Sequence, residues 1–166
     1  ENNVFKDTIN ISHNKFINRF YENRFIYMKN FNEWVKLTPV YPNMKVIFKQ
    51  FDKSNIFIST SNRKATVERT LEYHKIDFEC KNILDNTISL DKRIHIKIIK
   101  NNKNADYEDI IVIDDQVQNL VKVKDMGVKC FLAIWGYNNE EQRKEAKRHS
   151  IDLINEDKIE KFIYIN

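Results

Sequence analysis

Only two cysteines occur in the 166 residues, Cys80 and Cys130, and neither has a C-x-x-C partner. No thiolate metal site follows from them, and the simplest setting is a reducing intracellular compartment, the cytoplasm or one like it. No apolar run approaches the roughly 20 residues of a membrane span, and no signal-peptide pattern is present. The two prolines fall together in "TPVYPN" (residues 38 to 43), and no internal repeat is visible. The first residue is Glu1 rather than an initiator methionine, so residues ahead of it were removed or lie outside this stretch.

Charge of a single sign is also missing as a feature. Charged residues make up 31% of the chain and the net charge is +4, yet basic and acidic side chains are mixed throughout. No stretch makes an electrostatic footprint for nucleic acid, which argues against that partner. Lys, Asn and Ile are used wherever a position permits. The most biased stretch, "IIKNNKNADYED" (residues 98 to 109), reads as a solvated helix end and loop. His13, His74, His95 and His149 are scattered at helical positions, and ordinary surface or core roles are expected for all four.

What is present is a chain 42% hydrophobic, enough for one domain with a real core and not for a second full one. From residue 8 to residue 37 the apolar residues, many aromatic, recur at three- and four-residue steps, the spacing of a helix. "MKVIFKQF" (44 to 51) predicts a short helix, and "NIFIST" (55 to 60) a first strand. Beyond it, "SNRKATVERTLEYHKI" predicts a helix and "KNILD" a short strand or turn, followed by a helix in "KRIHIKIIKNN". A strand in "DIIVID", a helix in "DQVQNLVKVKDMG" closed by Gly127, and a strand in "VKCFLAI" come next. The helix "NEEQRKEAKRHS" and a last strand and helix in "IDLINEDKIEKFIYI" end the chain. Strands alternating with single helices predict an α/β protein, with a doubly wound, Rossmann-like parallel sheet and helices on both faces. Its division is expected at residue 43, with a helical stretch in 1 to 43, which the resemblance given below makes a remnant of a first motif plus a small cap, and the α/β core in 44 to 166.

Three strand or helix ends offer polar groups. Thr60, Ser61 and Asn62 follow the first strand where a helix begins; such residues cap helices, and hydroxyls with free N–H groups there also suit phosphate. Lys92 opens a helix about midway to the next feature, where a cation can neutralise a phosphate and a carboxylate together. In "IIVIDD" four aliphatic residues run into Asp114 and Asp115. An all-apolar run is the pattern of a central parallel strand, whose carboxyl end is where ligands bind in open α/β sheets. Adjacent carboxylates repel unless something positive sits between them and a substrate, most simply a divalent cation.

In that order and spacing the three features resemble the second, third and fourth motifs of the haloacid dehalogenase-like hydrolases. "VIDDQVQNLVKVKDMGVKCFLAIWGY" is similar to the phosphoglycolate-phosphatase and phosphoglucomutase branch, through Asp114-Asp115, Met126-Gly127-Val128 and Trp135-Gly136-Tyr137. The resemblance covers residues 44 to 166. It implies Mg²⁺-dependent hydrolysis of a phosphomonoester, small or large, through an aspartyl-phosphate. Thr60, with Ser61 and Asn62, would hold the phosphate, Lys92 would steady it and the nucleophile, and Asp115 with Asp114 would bind Mg²⁺. Asn119 stands where many relatives carry another Asp.

The first motif, D-x-D-G-T, has no clean match. The best placement puts Glu1 at its second Asp, the general acid and base, and the nucleophile two residues ahead of Glu1; Asp7 is the other candidate, with no apolar strand leading into it. A reduced cap of residues 11 to 37 would leave the site open. The competing expectation is an inactive relative that has lost its first motif and serves as a binding or structural subunit with a protein partner.

Overall fold

The computed structural model describes residues 13–159. Glu1 and Asp7 lie outside the described residues, as does the end of the expected final helix. The chain divides into two compact units between Pro39 and Val40, inside the segment that holds both prolines.

In the first unit the long helical pattern becomes two helices, α1 (His13–Lys29) and α2 (Phe31–Lys36). The break falls at Asn30, whose φ of −99° and ψ of 75° are not helical; its carbonyl accepts from the N–H groups of Glu33 and Trp34 and so starts α2. Phe31 and Val35, one turn apart, are buried, while Phe16, Ile26 and Tyr27 are exposed. The Phe31 and Trp34 rings lie 5.5 Å apart, and the Arg24 guanidinium sits 5.9 Å from the Trp34 centroid.

The second unit is mixed α/β. Helix α3 (Pro42–Gln50) begins on a proline, which needs no N–H bond at that position. Then come β1 (Ile58–Ser59), α4 (Lys64–Tyr73), β2 (Ile83–Leu84), α5 (Lys92–Lys103), β3 (Ile111–Asp114), α6 (Val117–Lys124), β4 (Lys129–Ala133), α7 (Glu140–Arg148) and β5 (Asp152–Ile154). Each boundary has a local cause. Asp91 caps α5 by accepting from Arg93 N, and Asn104 ends it in the left-handed region at φ 49°. Asn139 and Gln142 form a capping box at the start of α7. After α6 the chain turns through Gly127, whose φ of 94° disfavours any side chain.

The strands form two small parallel sheets, β1–β2 and β3–β4–β5. Ile58 pairs with Ile83, Val112 with Cys130, and Leu132 with Leu153. Successive residues of one strand point to opposite faces, and both faces of the larger sheet are apolar. Leu132 packs with Leu120, Val117, Ile96 and Ala146 from the helices α5, α6 and α7, while its neighbour Phe131 packs with Ile47 of α3 and with Ile154. A third cluster, Leu71, Ile76, Phe78 and Ile83, joins α4 to β2.

Asn82 fastens the entrance to β1. Its buried amide nitrogen donates to the carbonyls of Lys53, Ser54 and Ile56, at 3.1, 3.3 and 3.0 Å.

Leu132 is fully buried, so Leu132→Ala is expected to cost about 2–5 kcal/mol through lost burial and a cavity. Leu37→Ala, at an exposed position, should stay within about 0.5 kcal/mol. Urea midpoints of the two variants check this; equal shifts would mean the larger sheet does not hold the core.

Candidate active site

A cavity of about 300 Å³ opens at the carboxyl ends of β1 and β3. Ser59, Thr60 and Ser61 line it from β1 and the turn after it. Lys92 and His95 line it from the first turns of α5, and Asp114, Asp115, Gln116 and Asn119 from the end of β3 and the start of α6. The residues singled out in the sequence as Thr60, Ser61, Lys92, Asp114 and Asp115 are therefore brought to one place, while Asn62 is not among the lining residues.

The cap of α4 decides how the hydroxyls can be used. Helix α4 starts at Lys64 behind Arg63, whose side chain makes no capping bond. Its first N–H, from Lys64, is met instead by Asp85 Oδ2 at 2.7 Å, reaching over from the end of β2. Asp85 also accepts from the Thr87 hydroxyl at 2.6 Å and the Thr87 N–H at 3.2 Å. These bonds, that of the Thr87 hydroxyl foremost, hold its carboxyl below the usual carboxylate range. Thr60 and Ser61 are thus released from capping; Thr60 Oγ1 accepts from Asn62 N at 3.0 Å in a local turn.

Lys92 is aimed by its own cap. Asp91, held down to about pKa 2 chiefly by the Arg93 side chain, fixes the first turn of α5. Lys92 then projects to Asp114 and bonds Oδ2. Asp114 is buried and fully engaged: Oδ1 accepts from Gln116 N at 2.8 Å, and the Asn119 amide donates to both oxygens at 3.4 and 3.3 Å. The charge that the paired aspartates were expected to leave for a cation is met at Asp114 by Lys92. Asn119 is a donor here, not a further carboxylate.

Asp115 has a different environment. Its Oδ2 accepts from Tyr137 N at 2.8 Å, and Gln116 Nε2 donates to Tyr137 O at 2.8 Å. A Cβ built on Gly136 would overlap the Asp115 side chain. Loop 135–138 is therefore latched onto residues 115 and 116, and only a glycine permits that approach.

Among the described residues no group of three or more His, Cys, Asp or Glu side chains could hold a metal. For a magnesium ion the fit is that of hard oxygen ligands with water and substrate completing the shell. Asp115 Oδ1 has no bonding partner among the described residues, and Asp114 is the adjacent carboxylate.

His95, which the sequence reading sets aside, belongs to this cavity. Its Nδ1 lies 2.8 Å from Ser59 Oγ, and Nε2 is buried without a well-formed hydrogen bond. Burial, aided by the Lys92 charge, lowers its pKa against the opposing pull of the Asp85 and Ser89 carbonyls. The signal in the sequence was its place three residues after Lys92, on the same helical face. Asp85 left no signal, because its role depends on the start of a helix 21 residues earlier. Leu90 and Tyr137 stand exposed, Leu90 at the cavity wall and Tyr137 in the latched loop. The thiols lie elsewhere: Cys130 is buried, which pushes it up to about 11, and Cys80 is raised as well, by desolvation first.

Comparison with protein-family models, with curated proteins and with solved structures finds no match to this chain. Among the described residues no helix is long and apolar enough to cross a membrane.

Two outcomes are expected from this geometry. Gly136→Ala should destabilise by about 1–3 kcal/mol, the cost of overpacking, and an unchanged melting midpoint would mean that the loop is not latched. For His95 the folded pKa is below the unfolded one, so the unfolded chain binds the proton first as pH falls. The stabilising contribution is complete above the unfolded value of about 6.5 and declines as pH drops towards the folded one. Melting midpoints should therefore fall between pH 7 and pH 5, and His95→Asn should flatten that slope.

Proposed function

We propose that this chain forms the phosphate- and magnesium-binding part of a haloacid dehalogenase-like phosphomonoester hydrolase, its sheet a doubly wound one. The observation that supports this reading is the meeting of Thr60, Ser61, Lys92, Asp114 and Asp115 around one cavity, although they come from three separate stretches of sequence.

In this reading the Thr60 hydroxyl and nearby N–H groups hold the phosphate, and Lys92 bridges it to the carboxylates. An Asp carboxylate from polypeptide ahead of Glu1 attacks phosphorus as the ester P–O bond breaks. The departing alcohol takes its proton from Glu1. Water, yielding its proton back to the Glu1 carboxylate, then attacks phosphorus and breaks the aspartyl P–O bond, returning the carboxylate and releasing phosphate. Mg²⁺, when bound, supplies positive charge to the phosphate oxygens; Asp115 would hold it through Oδ1, beside Asp114. A cavity of about 300 Å³ takes a phosphate and a small part of the leaving group, so either a small molecule or one end of a larger phosphomonoester fits.

A second reading, an inactive subunit that keeps the pocket for binding, draws on one observation: Lys92 is neutralised by Asp114 and Asn119 adds no charge.

The test is Mg²⁺-dependent hydrolysis of p-nitrophenyl phosphate by the gene product including whatever is encoded ahead of Glu1. Lys92→Ala and Asp115→Asn are each expected to lower turnover at least about 100-fold, the loss typical of a transition-state contact. Phosphate binding without turnover selects the inactive subunit, and neither result would sink both readings. Separately, millimolar Mg²⁺ should raise the melting midpoint, since a ligand held only by the folded state stabilises by RT ln(1 + [L]/Kd). Asp115→Asn should abolish that rise.

A further inference from the structure

Ser59 and His95 are a polar pair of the cavity that the proposed hydrolysis does not use, and both line it. His95 is 1% exposed and shares the buried side of α5 with Ile96 and Ile99. An aliphatic side chain there would be buried at no polar cost, whereas a histidine requires a partner. Its Nδ1 has one, Ser59 Oγ at 2.8 Å.

The direction of that hydrogen bond decides what Ser59 can do. A hydroxyl donates or accepts, while the Asp85 and Ser89 carbonyls, which also draw on the ring, only accept. The neutral tautomer that serves both carries its proton on Nε2, which is buried without a well-formed hydrogen bond, and leaves Nδ1 bare. Ser59 then donates to Nδ1. The charged groups acting on the ring are Lys92 on its own helix and Asp85 at the end of β2. Burial first, and then Lys92, favour the neutral ring, which is the form a base must have. A hydroxyl bonded to a bare, buried imidazole nitrogen, with carbonyls to steady the ring, is the arrangement of an activated nucleophile.

We infer that Ser59 is a nucleophile and His95 its base, and that the cavity carries an acyl-transfer activity towards small carboxylic esters. Ser59 Oγ attacks the carbonyl carbon and passes its proton to His95 Nδ1. As the ester C–O bond breaks, that proton goes to the leaving alkoxide. Water, giving a proton to Nδ1 in turn, attacks the acyl carbon; the bond to Oγ breaks, Ser59 regains its proton and the acid leaves. Two donors for the developing oxyanion line the same cavity: Lys92, and the Thr60 hydroxyl, which accepts from Asn62 N and keeps its own proton to give. A volume of about 300 Å³ lies at the lower end of ligand cavities, which suits a small ester. This chemistry needs neither a metal nor an aspartyl-phosphate, so it stands apart from the proposed function.

Labelling of the chain Glu1–Asn166 by diisopropyl fluorophosphate in EDTA, read by intact mass and peptide mapping, tests this. Attack by Ser59 Oγ forms a P–O bond and expels fluoride, and the label stays on. One label per chain is expected, on Ser59, and Ser59→Ala should abolish both the label and the hydrolysis of p-nitrophenyl acetate. His95→Gln should slow labelling at least about 100-fold, the low end of what a positioned base contributes. The wild-type rate should be level above about pH 7, where a base with a pKa below the ordinary histidine value of about 6.5 is neutral. A label on another residue, labelling no faster than in urea, or a rate that His95→Gln leaves unchanged would each overturn the inference. Where a variant fails to fold, the wild-type pH profile decides, and a rate that keeps climbing above about pH 7 overturns it. EDTA stops Mg²⁺-dependent hydrolysis of p-nitrophenyl phosphate but leaves Ser59 its base, so either reading can fail while the other stands.

Discussion

The Lys92–Asp114 ion pair is the interaction on which the cavity depends. Asp114 is buried at the end of an aliphatic strand, where an unpaired carboxylate would be costly. Lys92, Gln116 N and the Asn119 amide together satisfy it. Because Lys92 begins α5 and Asp114 ends β3, this pair fixes where the helix starts relative to the sheet. His95, one turn further on, then meets Ser59 of β1. A single turn of helix thereby spans the ends of two strands that do not pair with each other.

Around that pair, the neighbouring loops are tied by backbone groups bonded to side chains, two of them carboxylates that accept from N–H groups. Asp85 crosses from the end of β2 to cap α4, and Tyr137 offers its N–H to Asp115 and its carbonyl to Gln116. The effect is to divide the work of two adjacent aspartates. Asp114 faces inward and holds the scaffold. Asp115 faces the cavity with one oxygen engaged by the loop and the other open. Two like charges can stand side by side in a strand end because they do not share one environment.

Much of the fold was legible from residue pattern. The helices α3 to α7 and the strands β3 and β4 fall close to where the sequence puts them, because α3 to α6 carry apolar residues at helical steps, β3 and β4 are nearly continuous apolar runs, and the element ends carry Asp91, Asn139 and Gly127. Sequence also singled out Thr60, Lys92, Asp114 and Asp115, through the order and spacing in which they follow apolar strands or open a helix rather than through any one of them alone. Several things were not legible. The break at Asn30 was hidden because the aromatic spacing continues through it, and β1 is shorter than its apolar run because pairing, not composition, defines a strand. Which aspartate is buried, that Asp85 releases Thr60 and Ser61 from capping, that His95 lies in the cavity, and that Gly136 is pressed against Asp115 are all decided by contacts between distant segments. Local propensity is set by neighbours a few residues away, whereas the partner of a buried charge or an orphan N–H is whatever the tertiary fold brings beside it.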